Sequence, residues 1–321
     1  MRAVMLSEFG APEVLVAADV PEPVTGAGQV LIDVEYASIT FVETQVRAGK
    51  PPRPEMLPPL PAILGGGVGG VVAGTGPGVE AGLLGRRVVA GLGGSGGYAE
   101  RAVTDVSRLI ELPEGVTMRD AVALLADGRT AIGLIRRADP HPGETVLVEA
   151  AAGGVGTLLV QLARNAGARV IALAGGERKL DVARGLGAQI AVDYRVPNWP
   201  ERVRESARAV DVVFDGVGGA VGQAAFELLG PGGRFCPFGM ASGRFAAVSM
   251  QAAAAGGATV LRGPPGGAPA ELDTLTRAAL AEVELGRLRA VIGQEFELEH
   301  AAEAHAAIEK RATIGKTLLV V

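Results

Sequence analysis

Two periodicities divide the chain. Over residues 1–123 the apolar positions come in short β-type runs, "QVLIDVEYASI", "GGVVAGTGPG", "RRVVAGL" and "YAERAV", separated by Pro and Gly clusters. Runs of this kind between turn residues predict a twisted, partly closed β domain. The stretch "GKPPRPEMLPPLPAILGG" holds too many prolines for a helix and predicts an extended loop. From "TMRDAVALLADGRTAIGLIRRA" onward, the spacing of Ala, Leu and Ile turns helical. A strict alternation follows: "TVLVEA", "GVGTLLVQLARNAG", "RVIALAG", "ERKLDVARGLG", "QIAVDY", "PERVRESAR", "DVVFDGV", "AVGQAAFELLG" and "GRFCPFG". This is a βαβ series, which requires a parallel sheet with right-handed crossovers.

A Gly-Pro run, "RGPPGGAPAE", closes the series. The segment "ELDTLTRAALAEVELG" then sets Leu272, Leu275, Ala279 and Val283 on one helical face, which predicts burial against the first domain, and "KTLLVV" predicts a last strand. Because β-type text resumes here, the expected organisation is a discontinuous domain, 1–123 with 263–321, interrupted by an inserted α/β domain at 124–262.

Composition narrows the function classes. The chain is 48% hydrophobic and 20% charged with a formal net charge of -5. It holds no basic block, so neither nucleic acid nor an anionic membrane is expected as partner. The opening "MRAVMLSEFGAPEVLV" meets Glu8 and a Gly-Ala-Pro turn too early for a secretory leader, and no apolar window approaches the roughly 18 residues of a membrane span. The expected location is the cytoplasm. The single Cys236 excludes an internal disulfide and a Cys-rich zinc site, and within "GGRFCPFG" it reads as a buried small hydrophobe. His141 lies between prolines in a turn, while His300 and His305 are five apart, off the same-face spacing; surface or helix-end roles are expected for all three. No metal site is expected.

The chemistry concentrates in "TVLVEAAAGGVGTLLVQLARNAGARV", a strand, a tight Gly turn and an amphipathic helix in the order of a dinucleotide fold. Ala151, Gly153 and Gly156 keep the one-residue and two-residue spacing of the fingerprint. A small first residue permits the turn. Gly153 opens the backbone amides of the loop, Gly154 and Val155 included, to a pyrophosphate, and Gly156 allows close helix–strand packing. After the next strand, "RVIALAGGERK" holds no acid before Glu177 to bond a bare ribose: the Gly175-Gly176 turn leads on to Arg178 and Lys179. Tyr194, ending the following strand, adds a hydroxyl. This favours the extra phosphate of NADPH; the other reading of Arg178 and Lys179 is solvated helix surface.

These stretches, with "ITFVETQVRAG" and "DGRTAIGLI", resemble the zinc-independent quinone oxidoreductase (zeta-crystallin-like) branch of the medium-chain dehydrogenase/reductase superfamily, over essentially the whole chain. The resemblance implies a Rossmann doubly wound parallel sheet inserted into a GroES-like β-rich catalytic domain, with NADPH in the cleft between them. It implies Thr130 at the nicotinamide amide, Lys179 and Tyr194 at the adenosine phosphate, Phe238 and Gly239 of "CPFG" along the nicotinamide ribose, and Arg311 of "RATIGK" near the cofactor. It also implies a homodimer paired through a Rossmann edge strand, here "ATVLRG". The chain departs from the family at Thr40-Phe41-Val42-Glu43, where Asn-Phe-x-Asp is usual, at Gln45 and Lys50-Pro51 in place of tyrosines, and at Gly67, which carries no carboxylate. The Gly-His-Glu of zinc relatives reads Gly65-Gly66-Gly67, and "VAGLGGSGGYAERAV" runs through where their metal lobe would be inserted.

The expected reaction is hydride transfer from NADPH to a quinone or similar conjugated carbonyl, with catalysis mainly by positioning and exclusion of water. Thr40 is the candidate donor to the acceptor carbonyl. Glu43 is either a proton source, an orienting partner of Thr40 or Arg47, or a salt-bridged structural residue. Two alternatives stay open: reduction of an enoyl or alkenal double bond, and a non-catalytic NADPH-binding role.

Overall fold

The structure, a computed structural model, describes residues 1–263 and 267–321. Of the Gly-Pro run, Pro264, Pro265 and Gly266 lie outside the described residues.

The chain opens with strands β1 (Arg2–Leu6), β2 (Leu15–Asp19) and β3 (Gln29–Ile39), then helix α1 (Phe41–Arg47). Next come β4 (Ala62–Ile63), β5 (Gly67–Thr75), β6 (Arg87–Gly91), β7 (Arg101–Asp105), β8 (Leu109–Glu111) and α2 (Met118–Leu124). The alternating part runs α3 (Asp127–Ala138), β9 (Thr145–Val148), α4 (Gly154–Asn165), β10 (Arg169–Ala174), α5 (Glu177–Gly185), β11 (Ile190–Asp193), α6 (Trp199–Ser206) and β12 (Val210–Asp215). It continues through α7 (Gly219–Phe226), β13 (Leu229–Pro237), α8 (Met250–Ala255) and β14 (Thr259–Val260). The chain ends with α9 (Pro269–Glu284), β15 (Ile292–Glu297), α10 (Ala301–Glu309) and β16 (Lys316–Val320).

Contacts divide these elements into two compact units: residues 1–126, 269–285 and 290–321, and residues 127–268 with 286–289. The lines fall a few residues from 123/124 and 262/263 for a local reason. Thr276 Oγ1 of α9 donates to the Leu125 carbonyl, which keeps both α9 and the end of α2 in the first unit. Residues 286–289 join the second unit because Asn165 Nδ2 donates to Arg287 O at 2.7 Å, and Gln161 exchanges two hydrogen bonds with the Arg289 backbone.

In the first unit, a sheet of order β15-β16-β3-β5-β6-β8, with β7 also on β3, lies in the same unit as a three-stranded sheet β2-β1-β4. Alternation along β3 sends Val30, Ile32 and Val34 inward, and past the register shift between Val34 and Tyr36 Ala37 joins them, with Val68, Val72, Val88 and Leu319. The late strand β16 pairs antiparallel with β3, Thr317 opposite Ile39, and parallel with β15, so early and late parts of the sequence share one sheet. Helix α9 buries Leu275, Thr276, Ala279 and Leu280; Leu272 and Val283 fall at the margins of that stripe.

The second unit is a six-stranded sheet of order β11-β10-β9-β12-β13-β14, every pairing parallel. Strands β9, β10 and β12 are buried on both faces, which is why they read as continuous apolar runs. The order reverses at β9, whose Val148 lies between Ala172 of β10 and Phe214 of β12. That reversal is where ligands of such sheets bind, outside the carboxyl ends of the strands.

Candidate functional site

At the reversal point the chain leaves β9 through Glu149 and Ala150, and Ala150 takes the left-handed conformation at φ 47. This tight turn lets Gly153 N–H return to the Ala150 carbonyl at 2.8 Å and brings Ala151, fully buried, under the loop. Gly153 is the N-cap of α4 without a side-chain cap, so the first amides of that helix, around Gly154 and Val155, have no side-chain oxygen from the cap position. A Cβ added at Gly156 would stand 2.2 Å from Ala150 O and 2.9 Å from Ala151 Cα, so glycine is what lets the helix lie against the turn. At Gly153 a Cβ would meet one atom, Ala150 O at 3.2 Å. Gly156 serves packing and Gly153 leaves an open approach, the division of labour that the fingerprint assigns them.

An unexpected group stands at this helix start. A Cβ on Gly154 would fall 1.9 Å from Asp127 Oδ2, so the carboxylate of the first residue of α3 lies against the amino end of α4. Negative charge at that place suits the helix dipole and competes with any other anion there. Thr130 lies three residues further along α3, half-buried.

The second corner of the site is the β10–α5 turn. Gly176, at φ 93, caps α5, and its N–H donates to Asp193 Oδ2 at 3.1 Å. Arg178 is exposed and Lys179 half-buried on the first turn of α5. Tyr194 follows β11 with its hydroxyl 3.5 Å from a Cβ placed on Gly175. The adjacent Arg195 is the residue sequence reasoning missed: its guanidinium covers Gly176 and pairs with Asp193 at 2.6 Å. Asp193 is held below the ordinary carboxylate range, first by the Arg195 side chain. Tyr194 and Arg195 thus lie at Gly175 and Gly176, and Arg178 and Lys179 follow on the first turn of α5 after Glu177, which pairs with Arg184.

The third corner is the β12–α7 turn. Asp215 Oδ1 accepts from Gly218 N–H at 2.6 Å and Val217 N–H at 3.2 Å, and the Phe238 and Gly239 amides both return to Asp215 O. The Phe238 ring lies over Gly216, where a Cβ would be 2.7 Å from Cζ. Glu149 and Asp215, the residues following paired positions of β9 and β12, are fully buried, and Glu149 Oε1 and Asp215 Oδ2 have no hydrogen-bond partner among the described residues. Burial, then the neighbouring carboxylate, pushes Glu149 well above its ordinary range, and burial raises Asp215 too.

Thr40 and Glu43 belong to the first unit. Thr40 is the N-cap of α1 and forms a capping box with Glu43: Glu43 N–H donates to Thr40 Oγ1, and Thr40 N–H to Glu43 Oε2. Glu43 Oε1 accepts from Gly66 N–H at 2.6 Å. Behind it, Tyr98 Oη stands 3.4 Å from Glu43 Oε2 and 3.0 Å from His305 Nε2. Arg47 turns elsewhere, to Glu309 and the Gly10 carbonyl, so of the two orienting partners considered for Glu43 the structure keeps Thr40. The expectation of a surface or helix-end role for every histidine is corrected at His305, which is fully buried. The small alanines around it on α10 let the imidazole reach Tyr98, and burial lowers its pKa to about 3. His141 and His300 are exposed. Arg311 is also in the first unit, exposed and left-handed at φ 54 just after α10. Gly67 has Ser38 Oγ 3.0 Å and Leu125 Cδ1 3.1 Å from a built Cβ, so a longer side chain there would have to displace both.

Cys236 is buried, its thiol pushed up to about 12. Among the described residues no three His, Cys, Asp or Glu side chains gather where they could hold a metal ion, and no helix is long and apolar enough to cross a membrane.

A parallel sheet of this order, carrying a Gly-rich turn at its reversal point and interrupting a β unit that resumes after it, defines a medium-chain dehydrogenase/reductase. Two family models agree: an alcohol dehydrogenase GroES-like domain matches residues 26–114 and a zinc-binding dehydrogenase model matches 154–281. The chain is 31% identical to a quinone oxidoreductase of Pseudomonas aeruginosa across 99% of each chain, and 30% identical to a 2-haloacrylate reductase of Burkholderia sp across 100% of this chain and 99% of that one. It superposes on a crystal structure of Escherichia coli quinone oxidoreductase complexed with NADPH with a TM-score of 0.91 at 28% identity, each chain covered in full. The chain belongs to the zinc-independent quinone oxidoreductase branch of the medium-chain dehydrogenase/reductase superfamily.

Proposed function

We propose that the protein oxidises NADPH and delivers the hydride to a quinone or a related conjugated carbonyl. The observation that carries the cofactor reading is the β10–α5 turn, where the Arg195 guanidinium and the Tyr194 hydroxyl lie at Gly175 and Gly176, Arg178 and Lys179 follow on the first turn of α5, and neither residue of the Gly-Gly pair offers a carboxylate to a ribose. Two acids stand nearby and both are committed: Asp193 to Arg195 and the Gly176 amide, and Glu177, first in α5, to Arg184. A phosphate monoester fits such a cluster better than a bare hydroxyl, because charge-assisted hydrogen bonds to guanidinium and ammonium groups are the stronger kind. The Gly153 approach and the amino end of α4 fit a pyrophosphate. The complex of the Escherichia coli relative with NADPH supports the same choice.

When bound, the cofactor supplies the hydride. The chain's own residues hold and orient: the Gly153–Gly156 loop the pyrophosphate, the cationic turn the adenosine phosphate, and the Phe238–Gly239 backbone and Thr130 the nicotinamide half. An electron-poor acceptor needs little activation beyond a proton for its oxygen.

The 2-haloacrylate reductase relative keeps a second acceptor class in view, an activated carbon–carbon double bond. The test is steady-state oxidation of NADPH and NADH with benzoquinone, naphthoquinone, an enone, a haloacrylate and an enoyl thioester. NADPH-preferring turnover of the quinones supports the proposal. Turnover of the alkenes alone moves the function to double-bond reduction, and tight NADPH binding without turnover moves it to a binding role.

A further inference from the structure

The hydroxyl of Thr40 is fully engaged within its own unit. It donates to Glu43 Oε2 at 3.1 Å and accepts from Glu43 N–H at 3.3 Å. A hydroxyl has one proton. While Glu43 is a carboxylate, that proton points inward and Thr40 has none to offer an acceptor. A protonated Glu43 reverses the bond: its O–H donates to Thr40 Oγ1, and the Thr40 proton is released.

The surroundings of Glu43 suit a carboxyl that exists in both states. The side chain is buried, at 6% exposure, and burial raises its pKa against the pull of the Thr40 and Gly66 amides, Lys316 of β16 and the Thr40 hydroxyl. Tyr98, on its inner side, is held neutral by burial and by the Glu43 charge, well above the ordinary phenol range. His305 of α10, beyond Tyr98, is neutral, lowered to about 3 by burial and by Arg47. Arg47 is itself paired with Glu309. Around the carboxyl there are thus a phenol, a neutral imidazole and the buried Lys316 charge, while Thr40 is half-buried.

We propose that Glu43 is a proton-dependent positioning residue: when protonated, it turns the Thr40 hydroxyl from a helix cap into the donor that protonates the oxygen of the reduced acceptor. The inference rests on the hydride-transfer reading above. The account balances for a quinone. The acceptor takes two electrons and one proton as hydride from the reduced nicotinamide, and its second proton from Thr40 Oγ1, becoming the hydroquinone. Thr40 takes the Glu43 proton, and the Glu43 carboxylate is reprotonated from water through Thr40 after product leaves.

The experiment is the pH profile of kcat/KM for naphthoquinone at saturating NADPH over about pH 5 to 9, where Tyr98 and His305 keep their charge. Wild type is expected to fall about tenfold per pH unit above the Glu43 pKa. Glu43→Gln, whose amide donates to Thr40 at every pH, gives a flat profile; Thr40→Val gives a flat and lower one; Thr40→Ser keeps the falling limb. A flat wild-type profile with sustained turnover overturns the proposal and leaves the hydride reading standing. So does a limb that survives in Glu43→Gln. Melting temperature and NADPH affinity report whether each variant is folded. If Glu43→Gln does not fold, Thr40→Val, which leaves Glu43 in place, decides: a surviving limb overturns the proposal. A wild-type protein that binds NADPH and reduces no quinone at any pH overturns both readings.

Discussion

Two glycines of one loop, three residues apart, are expected to fail in opposite ways when each is replaced by alanine. At Gly156 the new Cβ lies 2.2 Å from Ala150 O, 2.9 Å from Ala150 C and 2.9 Å from Ala151 Cα. All three are backbone atoms, so no side chain can rotate away, and α4 must move about 1 Å from the β9 turn to restore ordinary contact. Overpacking of this kind costs about 1–3 kcal/mol, which lowers Tm by roughly 3–10 °C for a unit of this size. At Gly153 the Cβ meets only Ala150 O at 3.2 Å, and the backbone, φ -84 and ψ 173, is open to alanine. Loss of a glycine N-cap and loss of unfolded-state freedom are both within about 1 kcal/mol and oppose one another, so Tm should barely change.

Cofactor affinity should show the reverse order. A methyl at Gly153 stands where the pyrophosphate would approach the α4 amides. A loss of 1.4 kcal/mol or more, about tenfold in Kd for NADPH, is expected for Gly153→Ala. The assays are thermal melts without cofactor and NADPH titration by fluorescence. The reasoning is refuted if Gly156→Ala melts with wild type, or if Gly153→Ala binds NADPH as tightly as wild type while Gly156→Ala, at a temperature where it is folded, does not.

Three further outcomes follow from the second unit. Arg195→Ala should weaken NADPH binding about tenfold and leave NADH unchanged, an exposed charge-assisted contact being worth about 1 kcal/mol or somewhat more; equal losses for both cofactors would remove Arg195 from the phosphate cluster. Asp127→Asn should lower Tm slightly, because a favourable charge of about 0.3–1 kcal/mol leaves the α4 amino end, and should tighten binding of both cofactors by removing a like charge; weaker binding would contradict the competition. Glu149 and Asp215 have pKa values raised on folding, so the native state holds more protons than the unfolded chain. Their contribution to stability is complete below the ordinary carboxylate range and is lost as pH rises through the raised values, at about 1.4 kcal/mol per pH unit for each proton. Denaturant melts from pH 4 upward should show this decline in wild type and a flatter curve in Glu149→Gln; identical slopes would show that the pair does not carry the proton.

What could be read from the sequence depended on how far away each residue's partner lies along the chain. The strands of the second unit, the Gly153 and Gly156 spacing and the Arg178–Lys179 turn are local patterns, and the structure places them in β9, α4, β10 and α5. Arg195 was within reach by the same logic, since it follows Tyr194 and pairs with Asp193 two residues back. The capping box of Thr40 and Glu43 was also within reach, because Thr-x-x-Glu at a helix start is its spacing. His305 was not, because Ala301, Ala302, Ala304, Ala306 and Ala307 hide which face of α10 is inward, and its partner Tyr98 is 207 residues away.

The Glu149–Asp215 pair marks the boundary between these cases. Each acid ends an apolar run, which in either strand alone is unremarkable. They become a neighbouring pair only because the sheet order sets β9 beside β12, and that order follows from a doubly wound βαβ series reversing at its first strand. Topology inferred from the alternation therefore carries chemical information that neither motif holds by itself. It places two carboxyls at adjacent strand ends before any coordinate is known, and the physics of like charges in a dry site then raises the pKa of both.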